Sequence, residues 1–290
     1  MKGQRADTIR AMGNPYLKKK LDALYRSFDF KARTSHDPIS IPMRYRRPRD
    51  IEVSAFIAAS YAYGRVDLFL PVLEKIITVM GKSPFNFIKD FHLTKHAKLF
   101  DDIGYRFYKP VDLVGLIYAL SKVLKKFGSL EGAFMAHSSK EDTDIGPGLA
   151  GMMGELKKAG QGAFKGSRKP EGFNHYFPSP ATGGAAKRGA LFMRWMVRDK
   201  DMDFGIWKGV KPSQLVIPLD VHIARVSRCL GLTSRKSNDW KTALEITAAL
   251  RELDPKDPMK YDFALCHRGI SGLCGPSECD GCELKGISAI

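Results

Sequence analysis

Alternation of apolar and polar residues with period two is scarce in this chain, so there is little from which to build strands. Long apolar runs are missing too. The longest candidate, residues 111–124, is interrupted by Asp112, Ser121 and Lys122 and reads as a buried helix, which argues against a membrane-spanning protein. The basic N-terminal stretch has no apolar segment of signal-peptide length behind it. A cytoplasmic protein without membrane contact is the expectation. Acidic residues are also in short supply. Against 47 Lys and Arg stand 31 Asp and Glu, a net charge of +16. An excess of that size attracts polyanions whatever the fold, with nucleic acid the leading partner and an anionic membrane surface second.

What the chain does have is a succession of short helical patterns punctuated by Gly, Pro and Ser. Residues 14–30 form a basic amphipathic segment, and Asp50 is placed to cap a helix running toward Tyr61, Tyr63 and Arg65. Further helices are predicted over residues 68–80, 84–91, 95–100, 110–127 and 130–134, with breaks at Gly128-Ser129 and Gly146-Pro147-Gly148. Asp239 and Asp257 are read as starting two more, with Pro258 at the first helical position of the second. The fold class is therefore all-α.

The densest chemistry lies between Pro178 and Cys229. Gly183 and Gly184 form a turn opening a helix that carries Lys187 near its start. Steps of four from Lys187 reach Leu191 and Trp195, an apolar stripe on which an amine would be partly desolvated and its neutral, nucleophilic form favoured. Arg188 points about 100° away and suits a phosphate better than a pocket. An apolar approach, Leu215 to Leu219, then leads to Asp220, a natural N-cap for the periodic run that follows.

The string Pro218-Leu219-Asp220-Val221-His222 resembles the V-D-x-H segment of the helix-hairpin-helix DNA glycosylases, the superfamily of endonuclease III and the 8-oxoguanine glycosylases. Lys187 precedes Asp220 by 33 residues, an interval similar to that of the archaeal 8-oxoguanine glycosylase branch. Asp201 and Met202 occupy the register where the common hairpin lysine would stand. The resemblance implies a two-lobed helical fold, with residues 50–205 as a central lobe and 1–49 plus 206–290 as a terminal lobe. It implies a monomeric, nucleoid-associated enzyme acting on double-stranded DNA with a damaged base. Lys187 and Asp220 would be the catalytic pair, while Gly183, Gly184, Arg188, Tyr61, Tyr63, Arg65 and His222 would contact DNA. The alternative is a DNA-binding relative that senses lesions without excising them.

Of five cysteines, Cys266, Cys274, Cys279 and Cys282 cluster near the C-terminus, a pattern that suggests metal rather than disulfides. The Cys279-x-x-Cys282 pair resembles the centre of the endonuclease III iron–sulfur loop, which implies a [4Fe–4S] cluster. Ser288 stands at the fourth ligand position, so Cys266 would have to supply the missing thiolate. Zinc and no metal at all are the other two readings. Cys229 reads as core.

Overall fold

The computed structural model describes residues 14–164 and 170–270. Among them are thirteen α-helices: α1 (Pro15–Ser27), α2 (Phe30–Thr34), α3 (Pro48–Tyr61), α4 (Val66–Met80), α5 (Pro84–Lys89), α6 (Leu93–His96), α7 (Pro110–Phe127), α8 (Leu130–Met135), α9 (Gly146–Gly160), α10 (Lys187–Val197), α11 (Val221–Cys229), α12 (Trp240–Leu253) and α13 (Asp262–Ile270). Short 3-10 turns join several of them, and no described residue lies in a strand. No described helix is long and apolar enough to cross a membrane. The all-α expectation holds.

Helix α3 is the axis of the molecule. Every residue from Asp50 to Tyr61 is buried, so the helix is enclosed on all sides, with α4, α5 and α10 against it. Its two acidic residues reach across to the starts of other helices. Asp50 lies within the first turn and does not cap α3; it accepts from Ser83 Oγ at 2.9 Å and Phe85 N at 3.0 Å, at the start of α5. Glu52 accepts from the amides of Leu130 and Glu131, both at 3.0 Å, at the start of α8, and from Trp207 Nε1 at 2.8 Å. Buried carboxylates at helix N-termini are satisfied there by orphan amides and the positive end of the dipole.

Two local expectations are corrected. Gly146-Pro147-Gly148 does not break the chain but opens α9, because proline is tolerated in a first helical turn. Gly148 faces the Phe134 ring, from which a Cβ would stand only 2.5 Å away, so α8 and α9 approach closely there. Asp257 does not start a helix either; α13 begins at Asp262, and the Asp257 carboxylate accepts instead from Arg198 Nε at 2.8 Å.

The ends of the described chain meet. Asp22 on α1 accepts from Lys260 Nζ and Tyr261 Oη, each at 2.7 Å, and Phe28 lies edge-on to Phe263 with ring centroids 5.6 Å apart. Helix α13 also packs along α11. Helix α13 is tied in turn to α10, the helix that starts with Lys187, where Arg194 donates to Asp262.

Candidate functional site

Lys187 and Asp220, distant in sequence, come together because both stand at helix starts. Lys187 is the first residue of α10, and the turn before it is held in place by Trp240 N donating to Gly183 O at 3.2 Å. Gly183 is left-handed at φ 79°, and so is Ala186 at φ 46°, the residue immediately before the lysine. An L-residue pays for that conformation where glycine does not. An Ala186→Gly protein should therefore be more stable by about 1 kcal/mol in urea denaturation. A loss of stability would mean that the buried methyl's packing outweighs the backbone strain.

Asp220 caps α11, its Oδ1 accepting from the amides of His222 and Ile223, both at 2.9 Å. The extended approach is anchored where Ile217 N donates to Thr247 Oγ1 at 3.0 Å. Asp220 Oδ2 is left to receive Lys187 Nζ at 3.0 Å, and Cys266 Sγ on α13 stands 3.9 Å from the same oxygen. Both oxygens of the carboxylate are thus engaged, and it is held as a fixed anion. Burial pushes the Asp220 carboxyl up, but Lys187 and the Ile223 amide outweigh that and bring it below the ordinary carboxylate range.

The expectation that burial would favour a neutral Lys187 is overturned. Burial does pull its pKa down, but the Asp220 carboxylate together with Cys266 and Asp262 pushes it above the ordinary lysine value. The lysine side chain is still 33% exposed, so water reaches it. Its resting form is an ammonium paired with Asp220, and it becomes a nucleophile only on giving up a proton.

The pair lies on the wall of a cleft of about 1070 Å³, lined from five directions by α2 and the turn after it (Arg33, His36, Asp37), the α3–α4 connection with the start of α4 (Tyr63 to Asp67), α10, α11 and α13. Asp37 was not singled out by the sequence. Its Oδ1 accepts from Ile39 N at 2.9 Å, and burial raises its pKa against the lowering influence of Arg194 and Lys187.

The other predicted contacts divide. Tyr63, Arg65, Arg188 and His222 all line the cleft. His222 has its Nδ1 buried, and α13 packs closely enough that a Cβ on Gly269 would stand 2.8 Å from His222 Cβ. Arg65 is exposed and paired with Asp67 at 2.5 Å, a bridge worth little in open solvent. Tyr61 is not a surface group: it is 1% exposed, with its Oη 2.8 Å from Tyr176 Oη, because α3 has no free face. Arg188 donates to Ser60 O at 2.8 Å and also to Tyr108 Oη and His175 O, which fixes its guanidinium in the cleft wall. Gly183 N donates to Pro180 O at 3.0 Å, which uses one of the two amides expected for an anion; Gly184 is exposed beside it.

Cys274, Cys279, Cys282 and Ser288 lie outside the described residues. Among the described residues no group of three His, Cys, Asp or Glu is arranged to hold a metal ion. Cys266 is described: its sulfur stands 3.9 Å from Asp220 Oδ2, and burial first, then Asp220 and Asp262, push the thiol well above its ordinary value.

Fold and site define an all-helical protein with a lysine–aspartate pair at converging helix starts in a large cleft. A family model described as "Protein of unknown function (DUF2400)" matches residues 37–271, and the chain belongs to that family. The matched segment holds Asp37, Lys187, Asp220 and Cys266 and stops short of Cys274. Neither the curated proteins nor the solved structures give a match.

Proposed function

We propose that this protein is a DNA-repair glycosylase with lysine-dependent lyase activity, acting on a damaged base in double-stranded DNA. The observation that carries the reading is the 3.0 Å contact between Lys187 Nζ and Asp220 Oδ2 on the wall of the cleft. A net charge of +16 supports a polyanionic substrate. A base inside a duplex is out of reach, so the nucleotide is turned out into the cleft, at a cost that damage reduces.

There the Lys187 amine, once deprotonated, attacks the anomeric carbon. The carbon–nitrogen bond to lysine forms as the glycosidic bond breaks, and the base leaves with the bonding electron pair and takes up a proton. Opening of the sugar ring gives a Schiff base. Loss of a proton from C2′, the carbon next to the imine, to a base or water then breaks the C3′–O bond, expels the 3′ phosphate and cuts the strand. Asp220, an anion held by two backbone amides, stabilises the positive charge that develops on the sugar.

The test is borohydride trapping on duplexes carrying 8-oxoguanine, uracil, thymine glycol, hypoxanthine or an abasic site. A covalent adduct on one lesion and on the abasic site is expected, and the lesion trapped names the substrate. Tight, salt-sensitive binding with neither adduct nor base release on any of the five would favour a second reading, a lesion-sensing binder. One observation favours that second reading: the Lys187 amine is ion-paired with Asp220 at 3.0 Å.

A further inference from the structure

One lip of the cleft carries an aromatic surface that the excision chemistry does not use. Residues 105–108 form a tight turn closed by Tyr105 N donating to Tyr108 O at 2.9 Å and Tyr108 N donating to Tyr105 O at 2.8 Å. Arg106, at its tip, is left-handed with φ 53°, a conformation that an arginine adopts only when the surroundings impose it. Phe107 follows and is 46% exposed, although both flanking tyrosines are buried.

The exposed ring is rigidly backed. Phe107 lies nearly parallel to Tyr63, with centroids 5.2 Å apart and planes 20° from parallel, and it touches His175 at 4.6 Å. The guanidinium groups of Arg106 and Arg188 sit over the Tyr63 ring at 5.8 and 5.5 Å. Arg188 is pinned by its bonds to Ser60 and His175, so the stack cannot easily collapse inward. Gly64, at φ 80°, lets the turn settle: a Cβ there would come within 2.8 Å of both Arg106 Nη1 and Tyr105 Oη.

A large apolar ring presented outward at a cleft mouth, held by strain and flanked by cations, needs a partner that is flat, aromatic and attached to negative charge. An unpaired nucleobase meets all three requirements: its π face stacks on the ring, and its phosphates meet the exposed Arg106 and Arg65. A buried apolar peptide would use the ring but not the arginines, so the charge pattern favours nucleic acid.

We propose that Phe107, presented by the 105–108 turn and backed by Tyr63, is a stacking platform for an unpaired nucleobase. The protein accordingly binds DNA with bulged or unpaired nucleotides in preference to fully paired duplex. This rests on the nucleic-acid reading of the cleft, but not on excision chemistry.

The experiment is a fluorescence-anisotropy titration of the full chain, at one fixed salt concentration, with lesion-free labelled duplexes that are either fully paired or carry a three-nucleotide bulge. Wild type should bind the bulged duplex at least about tenfold more tightly, the scale of one stacked base. Phe107→Ala should bring bulged binding to within about twofold of paired binding and leave paired binding unchanged, which also shows that the variant is folded. Phe107→Trp should restore the preference. A wild type without preference, or a Phe107→Ala protein that keeps it, overturns the platform. Borohydride trapping without a bulge preference would overturn this inference alone, and a bulge preference without trapping would overturn only the glycosylase reading. Absence of binding to either duplex together with no trapping on any lesion would overturn both.

Discussion

An Asp220→Asn protein is expected to keep forming the borohydride adduct on a preformed abasic site while losing about 10²–10³-fold in base release from the lesion that wild type excises. A Lys187→Ala protein should lose the adduct on both substrates. The difference follows from what each group does. Asparagine retains a side-chain oxygen for the amides of His222 and Ile223, so the start of α11 is preserved. What disappears is the negative charge, which matters when the sugar becomes cationic on losing its base. An abasic site has already passed that barrier and asks only for a neutral amine. In wild type the Asp220 carboxylate outweighs burial and keeps the Lys187 pKa high. Without the anion, burial acts unopposed by its main counterweight and the lysine pKa falls. The rising limb of the pH profile for abasic-site trapping should therefore move to lower pH in Asp220→Asn, since the reactive amine exists above its pKa. Adduct yield against pH for both proteins decides the point. Loss of abasic-site trapping in Asp220→Asn as complete as in Lys187→Ala, or a limb that stays in place, would remove Asp220 from these roles.

The parts of this site legible in the sequence were those fixed by local rules. An aspartate between an apolar approach and a periodic run is a cap in any fold, and Asp220 is one. Lys187 stands at a helix start for similarly local reasons. That the two meet was an expectation from resemblance, and the geometry brings them to 3.0 Å. Local rules failed where tertiary packing spends a side chain elsewhere. Tyr61 and Arg188 suit nucleic acid by residue type, yet one is enclosed because α3 is surrounded and the other is consumed by carbonyls of two distant segments. Asp50 capped a helix, but not its own. The protonation state of Lys187 is not legible in the sequence, because hydrophobic periodicity reports burial and says nothing of a carboxylate arriving from another helix. Phe107 gave no signal, since an exposed ring and a core ring are the same letter.

The most consequential pairing that the sequence concealed joins residues 68 positions apart. Arg194 on α10, 4% exposed, donates from Nη1 to Asp262 on α13, and its Nε lies 3.3 Å from Asp203. Arg198 adds contacts to Asp203 at 3.1 Å, Asp257 at 2.8 Å and Asp201 at 2.7 Å. Replacing Arg194 with methionine is expected to cost about 3–5 kcal/mol, because it leaves buried carboxylates uncompensated and does not delete a whole pair. Against a typical stability of about 5–15 kcal/mol, that is a large share. The cost should depend on pH in a definite direction. Burial pushes Asp203 up to about 6 even with both arginines present, and it raises Asp262 as well. A carboxyl whose folded pKa lies above its unfolded value contributes stability that is fully present below about pH 4 and is lost as pH rises through the folded value. Removing Arg194 raises those folded values further, so Arg194→Met should be closest to wild type near pH 5 and furthest from it at pH 7. Urea denaturation at the two pH values measures both quantities, and a cost under about 1 kcal/mol at pH 7 would contradict the burial argument. The site should feel the loss as well. Asp262 lies one turn before Cys266, and Arg194 lies on the helix that Lys187 begins, so the pair clamps α13 against α10. Loosening that clamp frees the cleft wall on which the 3.0 Å contact between Lys187 and Asp220 depends.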